Sequence, residues 1–290
     1  MSNCNWDLSK YYREQAGQKK YLDALLNLAS PSPLDVVLDV GTGSGTISFY
    51  LGERVKKIYG IDPDANLIKK RQAEIIQMVE THKVSPTFNV DFEILGAEDI
   101  GVRFPVSYFD TIVCWGSVHH FGDYIKAMKG ISQTCKPGGT LIIFDAFFPE
   151  SVRDFWEMAS TIHDPTTVRH HTYFEYMEML RLNGFIPETI LPFRHPVNLN
   201  KWLDKINKPD EGVRTDDVLS DMIKSLHPGK YDQWLSNARQ KGLKETLKQE
   251  ILNLDDEKKG YLSLINPGND EYEFTYDAFV LSAVKDRRSK

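Results

Sequence analysis

Over the first half of the chain, short β-branched runs alternate with longer stretches whose apolar residues recur three and four positions apart. The runs at 36–40, 57–61, 88–94, 108–114 and 139–144 predict five successive strands. Because they read as near-continuous apolar segments, they predict strands covered on both faces. Between them, 45–54, 65–80 and 124–135 carry the spacing of helices packed on a sheet. Such alternation is the mark of a parallel sheet flanked by helices. Pro137-Gly138-Gly139 ends the last of these helices and turns the chain into a strand.

Past about residue 150 the pattern changes. Segments 155–162 and 172–182 read as helices and 184–191 as a further strand. From 200 to 259 the chain is polar and helical, with Trp202, Leu203, Ile206, Trp234 and Leu247 among the apolar positions that let it pack as a lobe. Segment 272–285 resumes an apolar strand, expected to close the sheet as an edge. The expected fold class is α/β, a doubly wound, seven-stranded, mostly parallel sheet with a helical insertion before the last strand. The expected organisation is an N-terminal helical cap at 1–33, a core at 34–199, an inserted helical lobe at 200–270, and the final strand and tail at 271–290.

Composition narrows the function. With 41% hydrophobic and 26% charged residues, disorder, collagen and coiled coil are excluded. No apolar run approaches the roughly 20 residues that cross a bilayer. The start, Met1 to Asp7, lacks a basic region followed by an apolar one, so no secretion signal and a cytoplasmic location are expected. Cys4, Cys114 and Cys135 are too few and too badly spaced for a disulfide framework or a zinc site. A net charge of −6 without a Lys/Arg cluster gives a polyanion nothing to hold, so a small-molecule partner is favoured over nucleic acid.

The chemistry concentrates at Asp39-Val40-Gly41-Thr42-Gly43-Ser44-Gly45, where a strand runs through three alternating glycines into a helix. Glycine there permits a tight turn and close approach of a ligand. A tight connection that binds nothing is the alternative. The dinucleotide fingerprint needs a third glycine where this chain has Thr46 or Ser48, and the phosphate-cradling loop needs a terminal Gly-Lys-Ser/Thr that does not occur. Nicotinamide cofactors and nucleoside triphosphates are both disfavoured.

The glycine loop is followed by Tyr59-Gly60-Ile61-Asp62 at the end of the next strand, by Gly96-Ala97-Glu98-Asp99 after the third, and by Lys136-Pro137-Gly138-Gly139-Thr140 before the fifth. Taken together, residues 34–148 resemble the class I S-adenosylmethionine-dependent methyltransferases, a Rossmann-like fold. His119-His120-Phe121 after the fourth strand looks like the ubiquinone/menaquinone biosynthesis type. Asp164 to Arg169 followed by a helix and Asn183-Gly184-Phe185 is similar to bacterial small-molecule methyltransferases of that group. The similarity fades after about Lys205.

The resemblance implies S-adenosylmethionine as cofactor and S-adenosylhomocysteine as product. Gly41, Thr42, Gly43 and Gly45 would hold its methionine part, with Asp39 orienting the loop or meeting the ammonium through water. Asp62, followed by Pro63, sits where a carboxylate accepts hydrogen bonds from both ribose hydroxyls; the alternative is a helix cap. Ala97 and Glu98 would lie beside the adenine, although Glu98 reads equally as a solvated loop residue. Cys114 and Trp115 fall where the family contacts the sulfonium and the acceptor, unless Trp115 is plain core. Tyr11 or Tyr12, on an amphipathic N-terminal segment, would close over the methionine end.

A histidine near neutral pKa is the natural proton acceptor for a hydroxyl or acidic carbon, which makes His119 and His120 the catalytic candidates. His163, Arg169, His170 and His171 form a second polar group, on a substrate rim or a solvated loop. No metal motif is present. The lobe at 200–259 either roofs the substrate cleft or serves homodimerisation. The expected activity is methyl transfer to a small-molecule acceptor by in-line displacement; the alternative is a non-catalytic or regulatory protein that keeps the fold and binds the cofactor without turnover.

Overall fold

The computed structural model of the protein describes residues 19–81, 88–204, 206, 217–268 and 271–288. Two compact units divide the chain. One comprises Met1–Asp145, Tyr176–Pro192 and Phe279–Lys290; the other comprises Ala146–Glu175 and Phe193–Ala278. This second unit takes in residues 146–175 as well as the whole of the segment expected as the inserted lobe, 200–270.

In the first unit, helix α1 (Lys19–Ala29) precedes β1 (Val36–Val40), α2 (Thr46–Leu51), β2 (Lys57–Asp62), α3 (Ala65–Glu80) and β3 (Val90–Ile94). There follow α4 (Ile100–Arg103), β4 (Phe109–Trp115), α5 (Tyr124–Thr134) and β5 (Cys135–Ala146). Local chemistry sets these boundaries. Asp64 caps α3 by accepting from the backbone N–H groups of Asn66 and Leu67, and Asp123 caps α5 through Lys126 N. All the neighbouring pairs from β3 to β5 are parallel, with Val40 opposite Ile61 on one side and Cys114 on the other. The apolar residues Leu38, Ile58, Ile112, Val113, Leu141 and Ile142 are fully buried, as strands covered on both faces require.

Later elements are α6 (Glu150–His163), α7 (Tyr173–Leu182), β6 (Phe185–Asn198), α8 (Leu199–Leu203), α9 (Asp217–Leu226), α10 (Tyr231–Lys241), α11 (Leu243–Leu252), α12 (Asp256–Leu262), β7 (Ile265–Gly268) and β8 (Glu271–Lys285). The eight-stranded sheet has the order β3-β2-β1-β4-β5-β8-β6, with β7 paired to β8. The expected mostly parallel α/β sheet is present, but β8 is not its edge. It lies between β5 and β6, and the continuously buried stretch from Ala278 to Ala283 is the mark of an interior strand. The edge belongs to β6, whose Pro187, Pro192 and Pro196 lack the N–H that an interior strand must donate on both sides.

The second unit has its own apolar core, in which Phe148, Val152, Trp156 and Met158 meet Leu199, Ile223, Trp234 and Leu247. A reciprocal capping box starts α7: Thr172 Oγ1 accepts from Glu175 N at 3.2 Å, and Glu175 Oε2 accepts from Thr172 N at 2.7 Å. Glu175 also pairs with Arg169. His170 and His171 are buried rather than solvated, with Phe148 stacked edge-on to His170 and the ring nitrogen Nε2 of His170 3.0 Å from Ser160 Oγ.

Candidate functional site

The strand order reverses between β1 and β4, and parallel register brings the carboxyl ends of β2, β1, β4 and β5 into line. In open α/β sheets that crevice is where ligands bind. Most of the predicted residues described by the structure stand there.

Asp39, near the end of β1, is 1% exposed, and its Oδ2 gathers three donors: Thr42 Oγ at 2.7 Å, Ser48 Oγ at 2.7 Å and Ser48 N at 3.1 Å. One carboxylate oxygen thus fixes both the glycine loop and the first turn of α2. Its other oxygen, Oδ1, is buried with no hydrogen-bond partner among the described residues. Burial outweighs the stabilising bonds from Thr42 and Ser48 and pushes the carboxyl up to about 6.

Two of the loop glycines are explained by the protein itself. A Cβ on Gly41, at φ +69, would lie 2.5 Å from Ser117 Cβ; one on Gly45, at φ +79, would lie 2.7 Å from the Phe49 ring. Ser117 in turn donates to Val40 O at 2.7 Å, and Arg71 reaches from α3 to donate to Ser44 O at 2.8 Å. Gly43 differs: beyond Gly41 O at 3.9 Å its Cβ position is open, and so is that of Gly116 after β4. Gly43 N donates to Asp62 Oδ2 at 3.0 Å, and Asp64 N donates to Asp62 Oδ1 at 2.9 Å. With one backbone donor on each oxygen, Asp62 retains a second acceptor position on both. Pro63 follows it, exposed.

Ala97 is buried in a short 3-10 turn after β3, while Glu98 is half-buried with Oε1 accepting from Asp123 N at 3.1 Å. Glu98 is thus tied to the loop before α5 while remaining partly exposed. Cys114 is fully enclosed, and burial pushes its thiol far above the ordinary range, which places the side chain in the sheet interior. Trp115 stacks on Phe144 at 4.5 Å, Tyr21 of α1 packs against the same ring at 4.9 Å, and the Trp115 indole N–H is buried without an acceptor among the described residues. Tyr11 and Tyr12 lie outside the described residues.

His119 and His120 occupy a 3-10 turn after β4, their rings 4.0 Å apart. His119 Nδ1 lies 2.7 Å from Oδ1 of Asp145, whose Oδ2 accepts from Val118 N at 3.0 Å and His119 N at 3.3 Å. Asp145, Arg71 and Ser117 escaped the sequence reading. Only Asp145 carried a signal: a carboxylate ending a buried apolar strand. Among the described residues no group of three or more His, Cys, Asp or Glu side chains is arranged to hold a metal ion, and no helix is long and apolar enough to cross a membrane.

Residues 12–207 match a family profile described as a methyltransferase domain. The uncharacterized methyltransferase YcgJ of Bacillus subtilis is 26% identical over 175 residues, 60% of this chain and 66% of YcgJ. Its crystal structure superposes with a TM-score of 0.70 at 19% identity, covering 92% of this chain and 98% of that one. A ubiquinone biosynthesis O-methyltransferase of Xanthomonas campestris is 27% identical over 107 residues, 37% of this chain and 41% of its own length. A geranyl diphosphate methyltransferase solved in complex with S-adenosylmethionine shares the fold, with a TM-score of 0.52 at 14% identity over 92% of this chain and 84% of that one. By sequence, the matches to these curated relatives span less than two thirds of each relative's own length.

Proposed function

The chain belongs to the methyltransferase domain family, and from that premise we propose that it is an S-adenosylmethionine-dependent methyltransferase that alkylates a small-molecule acceptor. The observation that carries this reading is the pair of carboxylates flanking the glycine loop, Asp39 with an unpartnered buried Oδ1 and Asp62 with acceptor capacity on both oxygens. A buried acceptor without a donor is costly unless something supplies one. An ammonium suits Asp39 and a ribose diol suits Asp62, so the residues present fit the cofactor. The open positions at Gly43 and Gly116 leave its methionine part room against the backbone.

When bound, the cofactor supplies a methyl group on a sulfonium, a good leaving group that needs no acid catalyst. The chain's own share is placement. Ala97 lines the adenine side, and Glu98 holds the loop before α5 in position. Trp115, backed by Phe144, walls the acceptor side, and Cys114 serves the sheet core. His119 and His120 stand where a departing acceptor proton is taken up. A net charge of −6 supports a small acceptor over RNA, and a cytoplasmic site of action is part of the same proposal.

Thermal-shift assays with S-adenosylmethionine, S-adenosylhomocysteine and NAD test the reading. Both sulfur nucleotides should raise the melting temperature by linkage and NAD should not. No shift with either, in protein cleared of carried-over ligand, would overturn the cofactor assignment itself.

A further inference from the structure

Arg71, on α3, is a charged side chain enclosed against the glycine loop. The side chain is 6% exposed, and its Nη1 donates to Ser44 O at 2.8 Å and lies 2.7 Å from Oε2 of Glu74, one turn further along the same helix. Its Cδ stands 3.2 Å from where a Cβ on Gly45 would sit, so the apolar stem packs against the bare α-carbon of the loop. Its Nε is buried with no hydrogen-bond partner among the described residues. For stability alone this is a poor arrangement. Enclosing a guanidinium is costly, one of its donors goes unused, and an apolar side chain of similar length would fill the same space without that cost. What the cation adds is direction. It holds Ser44 O toward α3, while Gly45 N, the N–H of the same peptide unit, donates to Thr42 O at 2.7 Å. The Ser44–Gly45 peptide is thereby fixed at both ends.

We propose that Arg71 is a positioning residue for the cofactor: by holding the Ser44–Gly45 peptide, it keeps the glycine loop in the shape that receives S-adenosylmethionine. The proposal rests on the methyltransferase reading above. Gly41, Gly43 and Gly45 all have positive φ, and glycine accepts either sign, so the loop has other shapes within reach. Apparent affinity falls by the fraction of time a binding site spends in shapes that do not bind. A side-chain clamp on the loop's own backbone removes that loss before the ligand arrives. Glu74 supplies the counter-charge that keeps the guanidinium in place. Because Gly43 N donates to Asp62 Oδ2, loosening at Ser44 also loosens the carboxylate assigned to the ribose. Arg71 needs no contact with the ligand, since it acts through the loop.

Calorimetric titration of the full chain with S-adenosylhomocysteine tests this. Arg71→Met keeps a stem against Gly45 and removes the donors, so it should weaken binding by about tenfold or more. The melting temperature of the ligand-free variant should stay close to that of the wild type, because Glu74 is partly exposed and water takes over its charge. Arg71→Lys restores a cation that can donate to Ser44 O and should recover most of the loss. A merely structural role would do the reverse, lowering the melting temperature and sparing the affinity of the folded protein. If Arg71→Met fails to fold, Arg71→Gln takes its place with the same expectation, since its amide ends two atoms short of Nη1. Wild-type affinity in Arg71→Met or Arg71→Gln overturns the proposal, and so does Arg71→Lys binding as weakly as Arg71→Met. A wild type that binds no S-adenosylhomocysteine counts against the methyltransferase reading instead. The clamp is then read by amide hydrogen exchange in ligand-free protein, where Arg71→Met should quicken exchange at Gly45 by about tenfold or more. An unchanged rate there overturns the clamp as well.

Discussion

Asp39 near the end of β1 and Asp145 near the end of β5 are both almost wholly enclosed, 1% and 2% exposed, yet their oxygens are used differently. Asp39 loads three donors onto Oδ2 and leaves Oδ1 bare. Asp145 commits Oδ2 to two backbone N–H groups and Oδ1 to a histidine ring. The same residue type at the same edge of one sheet is thus a half-open acceptor on the β1–β2 side and a spent support on the β4–β5 side. An open acceptor awaits a ligand's donor, whereas a spent one orients another side chain. Under the proposed function, the β1–β2 side is the cofactor half and the β4–β5 side the proton-handling half.

The largest expected effect comes from removing the carboxylate that is freest to bind. Asp62→Ala should weaken S-adenosylhomocysteine binding by about 3 kcal/mol or more, at roughly 1.5–3 kcal/mol for each charge-assisted bond lost. Calorimetry checks it, and unchanged affinity would erase the contrast between the halves. His119→Gln and Asp145→Asn should leave the same affinity within about twofold.

Asp39 predicts a pH effect of similar size. Its carboxyl is raised from 3.8 to about 6, so the folded protein binds the extra proton between those values. Stability from this group is full below about pH 4 and is lost as pH rises through 6, by about 3 kcal/mol at 1.36 kcal/mol per pKa unit. Chemical denaturation across that range should show the fall in the wild type and not in Asp39→Asn. A cationic ligand group at Oδ1 favours the ionised form, so cofactor affinity should rise with pH over the same window.

Next come the glycines. Gly41→Ala faces both a left-handed φ and Ser117 at 2.5 Å and should cost about 3 kcal/mol of stability. Gly43→Ala meets open space and should cost about 1 kcal/mol, for the φ alone. Equal costs in denaturant titrations would mean that the loop is packed uniformly. The smallest effect is a control: Thr172→Ala breaks the α7 capping box and should cost about 1 kcal/mol of stability with no change in cofactor affinity.

Features that depend on neighbours in the chain were legible in the sequence. Continuous apolar runs marked β1 to β5, and α3 falls where the helical spacing put it, at Ala65–Glu80. The glycine loop and Asp62 were visible because strand, turn and helix follow one another directly. What depends on distant pairing was hidden. The final strand reads locally as an edge although it lies between β5 and β6, since nothing local tells which strands flank it. Asp145 and His119 are 26 residues apart and meet only because β4 and β5 are adjacent in parallel register. The burial of His170 is not legible locally because it depends on Phe148 and Ser160, from other parts of the second unit.

A crystal structure of the protein with S-adenosylhomocysteine tests the central claim most directly. The account predicts both ribose hydroxyls on the Asp62 carboxylate and the amino group facing Oδ1 of Asp39, directly or through one water. A ligand seated with neither carboxylate in contact would contradict it.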